Sequence, residues 1–284
     1  MVKDDMRPSE IITRASLLNA IMVELAIAGS TNAVMHLISF AREMEIDVGL
    51  DDFDQLSRKV PVISRVSPTG RATVVDLHTA GGVPAIMGEL SSMLDVGAKN
   101  VSGQTVKEII KDNRSTDTSV LTTIEDPVFA SGGIAVLKGS LAPSGAIGRI
   151  TTIPDSRMTH RGPARVFHSD EDAYQAVTTG KIQAGDVIII RYEGPVGAPG
   201  MREMMMTTDA LVGAGKADDV FVVTDGRFSG FTEGSAIGHV APEAAIGGPI
   251  AIVEEGDPVM IDIPSRKLNL DISEKEITKR LEDW

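Results

Sequence analysis

The first third of the chain has the composition and spacing of helices. A run rich in Leu, Ile, Ala and Met ends at Gly29, a residue type that often follows a helix end. Ser30 then offers a cap for the next helix, and Asp51 or Asp52 offers one for a short helix further on. The pattern predicts helices over residues 11–28, 33–44, 51–59, 74–94 with a break at 81–84, and 104–111.

The remainder alternates short β-branched runs with Gly- and Pro-containing turns, which is typical of strands. Residues 187–190 and 220–223 are apolar without alternation, so we expect two central strands buried on both faces. Ser273 and Glu276 have capping-box spacing and predict a terminal helix. The apolar runs predict strands at 134–137, 165–168, 187–190, 220–223, 250–253 and 259–263, with helices at 171–177 and 201–211.

A polar stretch at 112–119 separates the two textures. We therefore expect an α/β protein of two domains, residues 1–115 and residues 116–284. No repeat of solenoid period and no low-complexity tract is present.

Composition narrows the function classes. Among 284 residues, 27 are Lys or Arg and 40 are Asp or Glu, which gives a net charge of −13 and argues against binding to nucleic acid or anionic lipid. The sequence contains no cysteine, which excludes thiol chemistry and cysteine-held iron–sulfur clusters within these residues. No apolar run approaches the roughly 20 residues of a membrane helix, and no secretory signal is visible. The expected location is the cytoplasm.

Ser30, Thr31 and Asn32 stand at a predicted helix start. Free backbone N–H groups and the helix dipole favour an anion such as a carboxylate at this position. An ordinary helix cap explains the same residues, so the pattern alone leaves both interpretations open.

Glu193 follows the predicted buried strand at 187–190 and opens a Gly- and Pro-rich loop. Sites in open α/β sheets gather at the carboxyl ends of strands, and a hard cation such as Mg²⁺ prefers oxygen ligands. A surface turn with a solvated carboxylate is the alternative.

A second polar loop, with Arg227 and Ser229, follows the predicted strand at 220–223. The tight bracket of Gly226 and Gly230 would present the Ser229 hydroxyl, although the spacing is not that of a GxSxG nucleophile elbow. A plain β-turn is the alternative here. Two such loops in one domain favour a shared site.

Several long motifs, in matching order and spacing, resemble the dihydroxy-acid and sugar-acid dehydratases. The resemblance covers nearly the whole chain, and the motif forms at 191–195 and 224–230 are most similar to dihydroxy-acid dehydratase. The motifs are AGSTNAVMHL at 28–37, DLHTAGGVPAIM at 76–87, RYEGP at 191–195, PGMREM at 199–204, TDGRFSG at 224–230 and GHVAPEAA at 238–245.

The resemblance implies the carboxyl-terminal half of such an enzyme. Family members are about twice as long, and their amino-terminal half carries cysteines for an iron–sulfur cluster and further Mg²⁺ ligands. Residues 1–115 would then be the carboxyl part of an α/β first domain, and residues 116–284 a swivelling β/β/α, barrel-like domain. The expected partner is a cysteine-bearing amino-terminal half, in an assembled homo-oligomer.

Residue roles follow from the same resemblance. It implies that Glu193 is a Mg²⁺ ligand and that Ser229 is the base that removes a proton from substrate. A serine hydroxyl is a weak base at neutral pH, so a nearby cation must activate it. Arg227, together with Ser30, Thr31 and Asn32, is expected to bind the substrate.

The implied reaction is the dehydration of a 2,3-dihydroxy acid to a 2-keto acid in branched-chain amino-acid biosynthesis. Two alternatives remain. Ala198 and Phe231 depart from the family pattern, which leaves room for a sugar-acid hydro-lyase half. The missing cysteines leave room for a non-catalytic, cluster-free binding module.

Overall fold

The computed structural model describes residues 5–284, which form two compact units that divide between Ile134 and Ala135. The division falls later in the chain than the expected boundary at residue 115. The reason is pairing within the first unit: Leu121 bridges Ser64, Phe129 bridges Val62, and the amide of Thr122 donates to the carbonyl of Ile63 at 2.8 Å.

The first unit is helical, as predicted. Its central helix α2 buries Leu17, Ile21 and Leu25 and packs against α3, α4 and α6. The helices are α1 (Pro8–Ile11), α2 (Arg14–Ala26), α3 (Thr31–Glu43), α4 (Leu50–Ser57), α5 (Val74–Thr79), α6 (Gly82–Glu89) and α7 (Val106–Ile110).

Two predictions for helix boundaries in this unit had different outcomes. The break predicted at 81–84 is confirmed: Gly81 and Gly82 have φ of 116° and 63°, left-handed values that separate α5 from α6. The predicted cap of α4 is wrong in detail. Gly49 is the cap residue, and Asp52 accepts its amide at 3.0 Å from inside the first turn.

The second unit is built on one eight-stranded sheet in the order β1-β2-β6-β5-β4-β3-β7-β8. Strands β3, β4, β5 and β6 are parallel neighbours, and the remaining pairs are antiparallel where they are registered. A bridge between Lys138 and Lys267 joins the two outer strands, so the sheet is nearly closed into a barrel. The strands are β1 (Ile134–Leu137), β2 (Gly145–Arg149), β3 (Thr159–Phe167), β4 (Val187–Ile190), β5 (Phe221–Thr224), β6 (Ser235–Ala241), β7 (Pro258–Asp262) and β8 (Lys267–Leu270).

Helices α8 (Asp170–Thr178) and α9 (Met205–Gly213) cover one face of the parallel strands. In β4, Ile188 and Ile190 belong to the core under these helices, whereas Val187 and Ile189 belong to the barrel core. This alternation confirms that β4 is buried on both faces, as its unbroken apolar run predicted.

Three predictions in this unit need correction. Residues 250–253 are not a strand: Pro249 begins a 3-10 turn, and the Arg191 guanidinium binds carbonyls of this turn, including that of Val253 at 3.0 Å. Helix α9 starts later than residue 201, because Met201 has a left-handed φ of 51°. In α10 (Glu274–Asp283), Ser273 accepts the amide of Glu276 as predicted, but the Glu276 carboxylate pairs with Arg280.

Candidate active site

The two loops singled out from the sequence leave the same edge of the sheet. Strands β4 and β5 are parallel, and their last residues, Ile190 and Thr224, pair with each other. The loop that carries Glu193 and the loop that carries Ser229 therefore begin side by side. This is the carboxyl edge of the parallel strands, where sites of α/β sheets gather.

The carboxylate of Asp225 ties these loops together. It is 1% exposed and accepts the backbone amides of Tyr192 at 3.1 Å and Glu193 at 2.9 Å. It also accepts the amide of Ala244 at 2.8 Å, beyond the end of β6. Burial raises the pKa of Asp225, and the three backbone donors act in the opposite direction.

Glu193 is 3% exposed and lies at the amino terminus of α8. Its Oε1 accepts the amide of Asp170 at 3.2 Å and lies 3.7 Å from a guanidinium nitrogen of Arg202. Burial is the main cause that raises the pKa of Glu193, while the Asp170 amide and Arg202 lower it. This carboxylate is thus buried with little compensation from the protein.

Ser229 is half-buried in the turn after β5. Its Oγ accepts the backbone amide of Phe231 at 3.3 Å, and its carbonyl accepts the amide of Thr232 at 3.1 Å. The Phe231 side chain is 73% exposed. The turn therefore fixes the backbone of Ser229 while its hydroxyl keeps the capacity for a further contact.

Arg227 cross-links the two loops. Its guanidinium donates to the carbonyl of Met201 and to the Glu203 carboxylate at 3.2 Å. Its backbone carbonyl accepts the amide of Met204 at 2.8 Å. The guanidinium is engaged with protein groups, so contact with substrate stays a prediction.

The residues Ser30, Thr31 and Asn32 lie in the first unit, at the start of α3. The Ser30 hydroxyl accepts the Asn32 amide at 3.2 Å, which confirms Ser30 as a helix cap. The Glu24 carboxylate lies directly against Gly29, where a Cβ would be 2.2 Å from its Oε1. An incoming anion would meet this negative charge, and the substrate role of the three residues stays a prediction.

Sequence reasoning missed that four neighbouring parallel strands each end in a buried acid. Asp170 follows β3, Glu193 follows β4, Asp225 follows β5 and Glu243 follows β6, and their exposures are 1%, 3%, 1% and 6%. Each acid stood within or near a quoted motif or predicted helix start. Their common position became visible only with the strand order.

Three of these acids are each held by at least two backbone amides. Asp170 accepts the amides of Met206 and Thr207, and Glu243 accepts those of Val196 and Gly197, at 2.9–3.1 Å. Glu193 accepts one amide, at 3.2 Å. A buried carboxylate with unused acceptor capacity suits a hard cation, so Glu193 fits the part of one Mg²⁺ ligand.

The residues of this chain supply only part of what a metal ion and an iron–sulfur cluster would need. Within residues 5–284, no group of three or more His, Asp or Glu residues is arranged to hold a metal ion. The 284 residues contain no cysteine, so they do not fit a cysteine-held iron–sulfur cluster. In the same described range, no helix is long and apolar enough to cross a membrane.

Comparison with known proteins defines the class. The family model for the carboxyl-terminal domain of dihydroxy-acid/6-phosphogluconate dehydratases matches residues 119–284, and the amino-terminal model matches residues 1–109. The chain therefore belongs to the dihydroxy-acid/6-phosphogluconate dehydratase family, which confirms the resemblance drawn from the motifs.

The relatives that match the chain share a more specific name than the family. The chain is 47% identical over 286 residues to a protein named dihydroxy-acid dehydratase from Caldanaerobacter subterraneus subsp. tengcongensis. It is 48% and 49% identical to proteins of the same name from a Synechococcus strain and from Ignicoccus hospitalis. Each match covers 100% of this chain and 51–52% of the relative. The chain thus spans about half the length of the curated relatives it matches.

Proposed function

We propose that this chain supplies Glu193 and Ser229 to a hydro-lyase that converts a 2,3-dihydroxy acid into a 2-keto acid in branched-chain amino-acid biosynthesis. The observation that carries the proposal is the junction of the Glu193 and Ser229 loops at one sheet edge through the Asp225 carboxylate. Family membership and relatives named dihydroxy-acid dehydratase support it.

Each residue has a defined task in this reaction. Ser229 takes the proton from C2 of the substrate, hydroxide leaves from C3, and the resulting enol tautomerises to the 2-keto acid. Glu193 would hold Mg²⁺ as one of its ligands, and the bound cation would stabilise negative charge on the substrate oxygens and favour the ionised form of Ser229. Arg227 is proposed to orient the substrate.

The proposal includes a partner. An iron–sulfur cluster that activates the C3 hydroxyl would take its cysteines from outside these residues, on a polypeptide equivalent to the part of the relatives that this chain does not match. The assembled enzyme is proposed to be a homo-oligomer of the cytoplasm, in keeping with the resemblance to the family.

The proposal is tested by reconstitution. The chain is co-expressed with the unmatched amino-terminal part of the Caldanaerobacter relative, and 2,3-dihydroxyisovalerate turnover is measured with added Mg²⁺. We expect activity that Ser229→Ala and Glu193→Gln each lower by at least about 100-fold, since general base catalysis alone contributes about 10²–10⁴-fold. Glu233→Gln, at an exposed acid near the Ser229 turn, is the control and should keep activity. A colourless, inactive mixture would contradict the proposal.

A sugar-acid substrate is the second candidate. It rests on Phe231, whose amide donates to Ser229 Oγ and whose exposed ring stands next to the proposed base. Turnover of gluconate-type acids without turnover of 2,3-dihydroxyisovalerate would establish it. Acid binding that is unaffected by Ser229→Ala, without turnover of either class, would instead identify a binding module.

A further inference from the structure

Two of the four buried acids grip the loop that carries Glu193 from opposite ends. We call Asp225 and Glu243 the carboxylate cradle. Asp225 binds the amides of residues 192 and 193, and Glu243 binds the amides of residues 196 and 197. Since Pro195 has no N–H group, residues 192–197 have five backbone N–H groups, and four of them donate to these two carboxylates.

Asp225 acts on Glu193 through the backbone of Glu193. Its Oδ1 accepts the amide of Glu193 at 2.9 Å, and its Oδ2 accepts the amide of Tyr192 at 3.1 Å. Tyr192 has a left-handed φ of 68°, a conformation that a non-glycine residue adopts only when its surroundings hold it. The carboxylate therefore fixes the chain direction immediately before the Glu193 side chain.

Glu243 closes the other end. Its carboxylate accepts the Val196 amide at 2.9 Å and the Gly197 amide at 2.9 Å. It also packs so closely on Gly194 that a Cβ there would lie 2.5 Å from Oε2. A side chain at position 194 would therefore displace the Glu243 side chain.

The two cradle acids are also joined to each other. Ala244, the neighbour of Glu243, donates its amide to Asp225 at 2.8 Å. Burial is the main cause that raises the pKa of Asp225, and the negative charge of Glu243 acts in the same direction, so the two carboxylates repel each other. Five backbone amides donate to the Asp225 and Glu243 carboxylates. Hydrogen bonds to a charged group are among the stronger ones, so these five stabilise the pair.

We propose that Asp225 and Glu243 are positioning residues, which set the Glu193 carboxylate in place for a divalent cation without binding the cation themselves. The inference rests on the proposed function for the identity of the cation. The cradle carboxylates are used by backbone amides, whereas Glu193 keeps the capacity for a ligand. Their effect on metal affinity follows the general behaviour of groups that orient metal ligands.

The test compares Asp225→Asn and Glu243→Gln with Asp186→Asn. Asp186 is a matched control, since it is 5% exposed, accepts the Gln183 amide at 2.7 Å and precedes β4, at the opposite end from Glu193. Amide hydrogen exchange of residues 191–198 is measured on the chain by itself. The Mg²⁺ concentration for half-maximal activity is measured on the reconstituted enzyme.

We expect both cradle variants to speed exchange in 191–198 and to raise the half-activating Mg²⁺ concentration about 10–100-fold, with activity largely restored at saturating Mg²⁺. Asp186→Asn should change neither quantity. Equal Mg²⁺ requirement in cradle variants and wild type, or an equal rise in Asp186→Asn, would overturn the inference.

The two proposals fail in different ways. An inactive wild-type reconstitution overturns the proposed function, whereas the exchange measurement still tests the grip on the loop. Unchanged hydrogen exchange in both cradle variants overturns the positioning role of Asp225 and Glu243, whatever the activity. If one variant does not fold, the other is compared with Asp186→Asn by the same two measurements.

Discussion

At the scale of single residues, Glu193 stands apart from the other buried acids because the protein compensates its charge least. Asp170, Asp225 and Glu243 each have at least two backbone donors, and Glu193 has one at 3.2 Å and a guanidinium at 3.7 Å. A buried carboxylate with so few donors lowers the stability of the fold and is available to bind a ligand.

This cost has a pH dependence. Burial raises the pKa of Glu193 in the folded state above its ordinary value of 4.5. The protonated form of Glu193 therefore favours the folded state below pH 4.5, and this contribution to stability is lost as the pH rises through the folded-state pKa. We predict that Glu193→Gln raises the urea midpoint at pH 7.5 in the presence of a chelator. The gain should shrink as the pH is lowered towards 4.5.

The control for this prediction is Glu171→Gln. Its hydrogen bond with Arg202 lowers the pKa of Glu171, so its ionised form favours the folded state above the ordinary value and that contribution is lost as the pH falls. This variant should not raise the midpoint at pH 7.5. A lower midpoint in Glu193→Gln would show that Arg202 and the Asp170 amide outweigh the cost of burial.

At the scale of elements, the start of α9 depends on a side chain from another helix. Asp170, the first residue of α8, accepts the amides of Met206 at 3.0 Å and Thr207 at 3.1 Å. The carboxylate thereby satisfies two of the N–H groups that a helix start leaves free. The two helices that flank the site are thus locked together at their amino termini.

We predict that Asp170→Ala lowers the free energy of unfolding by about 2–6 kcal/mol, because the buried amide of Thr207 and the partly buried amide of Met206 lose their partner at about 1–3 kcal/mol each. Urea unfolding followed by circular dichroism measures this value. Ser169→Ala removes the exposed cap of α8 and should cost only about 1 kcal/mol. Equal losses in the two variants would contradict the prediction.

Elements with strong local signals were predictable from the sequence. The apolar run of β4 and the glycine pair between α5 and α6 depend on neighbours along the chain, and both predictions are confirmed. Strands β2, β6 and β8 were missed because their glycine and polar residues weaken the strand pattern. The run at 250–253 looked like a strand, but its carbonyls bind Arg191.

The site was predictable only in part. Each strand-end loop has its own sequence signal, which is why the sequence singled out Glu193 and Ser229 as candidates. The roles of Asp225 and Glu243 depend on β4, β5 and β6 being adjacent, although residues 191–220 separate β4 from β5 along the chain and β6 pairs with β5 on the side away from β4. Strand order is a long-range property, and short-range patterns do not encode it.

At the scale of the whole molecule, each unit has its own buried core. Ile21 is 0% exposed in the first unit, and Ile189 is 0% exposed in the second. Removing most of such a side chain costs about 2–5 kcal/mol in the structure that surrounds it.

We predict that Ile21→Ala weakens hydrogen-exchange protection first in α2, and that Ile189→Ala weakens it first in β4 and its neighbours. Mass spectrometry of peptides from residues 14–26 and 187–190 reports on the two cores separately. If either substitution opened both peptides equally, the two units would unfold as one cooperative body.

The near-closure of the sheet has a consequence for aggregation. The amide of Lys138 donates to the carbonyl of Arg266 at 3.0 Å, and the amide of Leu268 donates to the carbonyl of Lys138 at 3.2 Å. The backbone groups that an open outer strand would offer to another chain are thus used within the molecule at this seam. An open edge on a sheet this rich in Val and Ile would favour pairing with strands of other molecules, and the seam between β1 and β8 disfavours such aggregation.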